Sequence, residues 1–377
     1  MSRNIPFLTL SPQHQQIKRE IFQRWNKLYD QTEFIHAAEG RCFEAEFAIY
    51  NEAKHTIAVD NGTSALEIAL RAMRVGPDDE VITVSNTFIA TVAAIHFTGA
   101  TPVFAEIDPQ TYNIDPEDIK KRITTRTKAI IPVNLYGQPA DLVGIRNIAD
   151  KYGIKVLNDA AQSIGAKIKD NEGKLVDTHQ FADITTFSFY PGKNLGACGE
   201  AGAIIAENDN YADFCRKFRD HGSTEKYIHE IIGRNHRMDA FQAAALRIKL
   251  RYIDEWNSKR RKVALWYQEF LSNCTGITLP FISNHVQSVF HLYVVLVEDR
   301  IPFMDYLQRK GIGTGLHYRI PVHLQKAFKY LNYKPGDLPI TENIVSKNVS
   351  LPMYPELTRD DVAYISDVII NYFRGNF

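Results

Sequence analysis

From about residue 55 the chain alternates between two hydrophobic periods. The short apolar run HTIAVD (55–60) is broken by Asn61-Gly62-Thr63. Leu66, Ala69, Leu70 and Met73 then recur at the i, i+3, i+4, i+7 spacing of one helical face, with Ser64 placed to cap it. EVITVS (80–85) predicts a strand, and residues 87–98 predict a helix through Ile89, Val92, Ala93 and His96. TPVFAEID (101–108), KAIIPVNLYG (128–137) and KVLNDA (155–160) predict further strands, and the runs 186–190 and 203–206 extend the series. Strands alternating with helices predict an α/β fold, a mostly parallel sheet covered on both faces.

Near residue 238 the pattern changes. MDAFQAAALRIKLRYIDEWNSKRRKVALWYQEFL keeps helical periodicity without Gly or Pro, which predicts one long helix leading into a second lobe. HLYVVLV (291–297) predicts a strand there and 302–310 a helix, so the lobe reads as α+β. The expected division is a large domain over 1–245 and a smaller one over 246–377. A chain of 377 residues buries a large core without staples.

Composition narrows the function by exclusion. Lys plus Arg equals Asp plus Glu at 44 each, so nothing points to nucleic acid or a membrane surface. Lys259-Arg260-Arg261-Lys262, the sharpest basic run, reads as a solvated helix face. The four cysteines form no CxxC pair, which argues against zinc and against a disulfide scaffold. No apolar run approaches the roughly 18 residues of a membrane helix. MSRNIPFLTL lacks the pattern of a signal peptide, so a cytoplasmic protein with reduced thiols is expected.

Three strand-end features carry the candidate chemistry. Gly62-Thr63-Ser64 lies between a strand and a helix, where unpaired N–H groups and the helix dipole favour a phosphate. An ordinary N-cap leaves the same signature. Asp159 ends the strand of LNDAAQS, where open α/β sheets collect ligands. It reads equally as a cap. In TTFSFYPGKNLGACGEAGAII (185–205), Lys193 stands in a glycine-rich turn after a strand. An amine in an apolar cleft is a nucleophile towards carbonyls, although most lysines are simply exposed. A phosphate cradle, a carboxylate for a ring nitrogen and a lysine for a Schiff base are together what pyridoxal 5′-phosphate requires. GIGTG (311–315) lacks the third glycine of a dinucleotide fingerprint. His317 and His323 have no carboxylate or thiolate at ligand spacing, so no metal is expected.

Ordered blocks then place the chain beside a family. DNGTSALEIALRA, ITVSNTFIATVAAI, DPQTYNIDP, IPVNLYGQPADL, NDAAQSIGA, FSFYPGKNLGACGEAGAI and GRNHRMDAFQAAALRIKL resemble the DegT/DnrJ/EryC1/StrS sugar aminotransferases. These belong to the aspartate-aminotransferase-like fold type I enzymes, which use pyridoxal phosphate. The resemblance implies Lys193 as the Schiff-base lysine, Asp159 on the pyridine nitrogen, Gln162 near the ring hydroxyl and Phe88 on the ring face. It implies Gly62, Thr63, Ser64 and Ser188 on the phosphate, with Asn235 reaching the phosphate of a second subunit in a homodimer. It also implies L-glutamate as amino donor and a keto-sugar nucleotide as acceptor. FYPGKNLGA, HGSTEKYIHEIIGRNHRMD and TGLHYRIPVHLQ are similar to enzymes of nucleotide-linked 3-keto-6-deoxyhexoses, dTDP-linked by expectation, which make amino sugars for surface polysaccharide (lipopolysaccharide O-antigen) or glycosides. A 4-keto acceptor is the alternative, and Tyr190, Tyr318 and His323 are the expected substrate contacts. A dehydratase branch replaces the lysine by histidine, which Lys193 argues against. A lyase of another kind or a non-catalytic regulator remain as other classes. Asn158, His236 and Ala240 depart from the usual residues, as does FIHAAEGRCFE (34–44). All are expected at substrate or subunit contacts, away from the cofactor.

Overall fold

A computed structural model describes residues 3–35 and 37–375; His36, within the 34–44 stretch, lies outside the described residues. Seven strands form the central sheet: β1 (His55–Val59), β2 (Glu80–Val84), β3 (Thr101–Ala105), β4 (Thr127–Ile130), β5 (Lys155–Asp159), β6 (Ile184–Ser188) and β7 (Gly202–Ala206). Their order is β1-β7-β6-β5-β4-β2-β3. Pairs β2–β3, β2–β4, β4–β5 and β5–β6 are parallel, whereas β7 runs antiparallel to both β6 and β1. The sheet is therefore mostly parallel, as its near-continuous apolar strands require when both faces are buried.

Helices α1 (Ser11–Gln31) and α2 (Ala38–Tyr50) precede the sheet. The connections then supply α3 (Gly62–Ala72), α4 (Ile89–Thr98), α5 (Pro116–Arg122), α6 (Leu142–Tyr152) and α7 (Asp209–Arg219). Ile57, Leu66, Leu70, Ile95, Leu157 and Ile204 share one buried cluster, and Ile82, Ile114, Leu142, Ile145 and Val156 belong to another. The parallel strands end on one side of the sheet, which is where Asp159, Ser188 and the start of α3 come together.

The expected long helix is two. α8 (Ala240–Leu250) and α9 (Ile253–Leu271) are separated by a turn at Arg251–Tyr252. The break lets α8 bury Ala243 and Leu246 beside Phe43 and Phe187, while α9 turns Val263, Ala264 and Tyr267 into a different cluster. That second cluster also holds β8 (Tyr293–Leu296), β9 (Asn348–Leu351), α10 (Arg300–Arg309) and α11 (Arg359–Phe373), and Ile5 joins it from the chain's other end. A division at 245/246 falls inside α8. The basic run on α9 is not wholly a solvated face. Arg260 is buried and donates from Nη1 to the carbonyls of Met353 at 2.9 Å, Phe290 at 3.3 Å and His291 at 3.4 Å. Its charge is answered by backbone dipoles, which a one-dimensional charge count does not reveal.

Candidate active site

The start of α3 is built as a cradle. Asn61, not Ser64, is the N-cap: its Oδ1 accepts from the Ser64 N–H at 2.8 Å. The Gly62 and Thr63 N–H groups precede the first intrahelical bond and have no helical acceptor. A Cβ on Gly62 would come 2.7 Å from Ser188 Cβ, so only glycine lets the helix start touch the end of β6. The start of α3, Gly62 to Ser64, therefore lies against Ser188.

Asp159 ends β5, with Thr186 of β6 as its register partner. It is 3% exposed. Thr91 Oγ1 donates to its Oδ2 at 2.8 Å and the Ala161 N–H to its Oδ1 at 3.1 Å. Thr91 shares a further bond with Thr87 at 2.9 Å, in which Thr87 is the donor once the Thr91 hydrogen is committed to Asp159. Burial raises the Asp159 pKa, and the bonds from Thr91 and Ala161 and the charge of Lys193 oppose that rise only in part. Among the described residues no Lys, Arg or His forms an ion pair with it. A buried carboxylate in that position fits a cationic ring N–H of pyridoxal phosphate.

Lys193 sits in the turn after β6, its N–H donating to the Tyr190 carbonyl at 2.8 Å. Gly196 is obligatory here, since a Cβ would lie 2.2 Å from the Pro191 carbonyl oxygen. Lys193 is partly exposed as a residue, but the surroundings of its amine desolvate the ammonium and lower its pKa from 10.5 to about 8, against the pull of Asp159. The next residue locks the turn. Asn194 Nδ2 donates to Asn257 Oδ1 at 2.8 Å and to the Val289 carbonyl at 3.0 Å, and its Oδ1 accepts from His291 Nδ1 at 3.2 Å. Burial and the Lys193 charge hold His291 neutral.

Gln162 links two tyrosines. Gln162 Oε1 accepts from the Tyr136 N–H at 2.7 Å, and its Nε2 donates to Tyr318 Oη at 3.0 Å. Tyr136 Oη donates to the His317 carbonyl. The Phe88 ring lies 6.1 Å from that of Tyr318 and is 55% exposed, an open aromatic face at the start of α4. Tyr190 is exposed. His323 is buried: its Nδ1 accepts from Ser85 Oγ at 2.7 Å, which leaves Nε2–H to donate to Glu342 Oε1 at 3.2 Å. Asn235 stands exposed on the loop before α8, accepting from Arg237 Nε at 3.0 Å.

Sequence reasoning missed Thr87 and Thr91: Thr91 lies in the first turn of α4, and Thr87 lies in the bend before it, so helical periodicity links neither to Asp159. It also missed Tyr136 and Asn194. His236, expected at a substrate or subunit contact, instead reaches the cradle through Ser64, and only long-range register brings it there.

Set beside known proteins, residues 15–370 match the profile of the DegT/DnrJ/EryC1/StrS aminotransferase family. The chain is 43% identical over 368 residues to a dTDP-3-amino-3,6-dideoxy-alpha-D-galactopyranose transaminase of Aneurinibacillus thermoaerophilus, covering 98% of this chain and 99% of the relative. It is 42% identical over 373 residues to a Geobacillus stearothermophilus protein named pleiotropic regulatory protein, covering 98% and 99%. Among solved structures it is similar to S. venezuelae DesV in complex with a ketimine intermediate, with a TM-score of 0.94, 37% identity and 98% of each chain covered.

Proposed function

The chain belongs to the DegT/DnrJ/EryC1/StrS aminotransferase family, and from that premise we propose that it moves an amino group from L-glutamate to C3 of a dTDP-linked 3-keto-6-deoxyhexose. The product is a 3-amino-3,6-dideoxyhexose for surface polysaccharide or glycoside synthesis in the cytoplasm. What carries the reading is the buried Asp159 without an ion-pair partner among the described residues, opposite a lysine whose ammonium is destabilised.

Bound pyridoxal phosphate supplies a carbonyl for the migrating nitrogen and a cationic ring that withdraws electrons from the carbon losing its proton. The backbone of Gly62 and Thr63 and the hydroxyls of Thr63, Ser64 and Ser188 hold its phosphate. Asp159 keeps the ring nitrogen protonated, and the ring's charge in turn stabilises ionised Asp159. Phe88 would cover one face of the ring, and Gln162 would hold its hydroxyl. Lys193 Nζ would hold the cofactor's carbonyl carbon, and as a free amine it takes the Cα proton of glutamate and, in the second half, delivers a proton to the sugar C3. A lowered pKa suits both tasks, because a useful share of the amine is neutral near pH 7. Tyr190 and Tyr318 face the sugar, and His323 is held beside Ser85. Asn235 serves the phosphate site of a second copy, which makes the working unit a homodimer.

The name of the G. stearothermophilus relative favours one other reading, a regulator on the same fold. The two separate in one experiment. The protein is loaded with pyridoxal phosphate, treated with L-glutamate, and offered dTDP-linked 3-keto and 4-keto 6-deoxyhexoses. The proposal expects glutamate to bleach the visible band and the 3-keto sugar to gain nitrogen by mass spectrometry. Amination of the 4-keto sugar alone moves the acceptor carbon. A band that glutamate leaves untouched rejects the transamination.

A further inference from the structure

Helix α3 presents its cradle with one donor already spent. The Ser64 N–H is committed to Asn61 Oδ1, so residue 64 can offer an anion only its hydroxyl. That hydroxyl lies 3.1 Å from His236 Nδ1. The same nitrogen lies 3.0 Å from Asp60 Oδ2. A carboxylate only accepts, so Nδ1 carries the hydrogen. Ser64 Oγ, sharing that N–H, is an acceptor towards His236, and its own hydrogen is left to point elsewhere.

His236 is fixed for this task. Its N–H donates to the Arg219 carbonyl at 2.9 Å and its carbonyl accepts from the Asp60 N–H at 3.0 Å. Its ring stacks on Phe218 with centroids 6.5 Å apart. Asp60 Oδ1 is buried with no hydrogen-bond partner among the described residues, so His236 is the only side chain seen to answer that carboxylate. A bare carboxylate beside a phosphate cradle is repulsive.

We infer that His236 is a positioning residue for the cofactor phosphate: it holds the Asp60 carboxylate in check and turns the Ser64 hydroxyl outward as a donor. The inference rests on the pyridoxal phosphate reading above. It gives a cofactor-side role to a position where the family resemblance suggests Ser or Tyr.

The test is equilibrium binding to the apo-protein, followed by absorbance, with pyridoxal phosphate and with pyridoxal, which lacks the phosphate. His236→Ala is expected to weaken pyridoxal phosphate about tenfold, the scale of one charge-assisted bond and a lost shield. Pyridoxal affinity is expected to stay unchanged. His236→Asn, whose amide can stand in for Nδ1–H, restores most of the loss, and so does adding Asp60→Asn to His236→Ala. Should His236→Ala not fold, His236→Gln replaces it, since its amide sits nearer the Nε2 position. The inference is overturned if both ligands weaken together, if neither weakens, or if Asn does no better than Ala or Gln. Wild-type protein that binds no pyridoxal phosphate overturns the functional reading itself. Wild-type binding with indifferent variants overturns only the role of His236.

Discussion

In the apo-protein Lys193 should titrate as an amine with a pKa near 8. Desolvation is the main cause of the fall from 10.5 to about 8, worth about 3 kcal/mol at ~1.4 kcal/mol per tenfold. At pH 7 about one Lys193 in ten is then neutral, against about one in three thousand for an ordinary lysine. Capture of pyridoxal phosphate consumes the neutral amine, so stopped-flow absorbance between pH 7 and 10 reads the titration directly. That window lies above the phosphate titration near about 6. The capture rate should rise about tenfold per pH unit below the pKa and level off above about 8. Asp159→Asn is the perturbation. Asp159 supports the ammonium, so removing its charge should move the bend to lower pH. A rate that climbs steadily to pH 10, or a bend that moves up in Asp159→Asn, would mean that the Lys193 ammonium is not destabilised by its surroundings.

Lys193→Met should stabilise the apo-protein at pH 7 by up to about 3 kcal/mol, because the unfolded chain holds a proton that the folded site binds poorly. Wild-type stability should recover as pH rises from about 8 towards 10.5, and the difference between the two melting curves should shrink across that window. Thr91→Val removes a bond that lowers the Asp159 pKa. Activity requires the ionised carboxylate and is lost as pH falls, so the acid limb of the pH–rate profile should shift to higher pH. Gly62→Ala should cost about 1–3 kcal/mol in a denaturant titration, because its Cβ must displace Ser188. Adding Ser188→Gly should recover stability but not cofactor affinity. Asp159→Ala should lower turnover by at least about 10²-fold while some cofactor still binds.

The sheet was legible because its strands are short apolar runs bounded by Asn, Gly and Asp, and because helices at a 3.6 period separate them. The break between α8 and α9 was not. No Gly or Pro marks it, and it exists because Leu246 and Val263 belong to different cores. Arg260 misled for the same reason: its acceptors lie 30, 31 and 93 residues away. At α3 the sequence placed the start of the helix but chose the wrong cap, since Asn61 and Ser64 are both good caps within one turn. Lys193 and Asp159 were legible as strand-end residues. Thr91 meets Asp159, and His236 meets Ser64 and Asp60, through contacts that only the folded register creates.

The central claim is that Lys193 is the residue that carries the cofactor. The direct measurement is to load the protein with pyridoxal phosphate, reduce with borohydride, and map the modified lysine by peptide mass spectrometry. A pyridoxyl group is expected on Lys193 alone, in the peptide spanning the β6–β7 turn, and none in protein first treated with excess L-glutamate. A label on another lysine, or no label in wild-type protein, would contradict that claim.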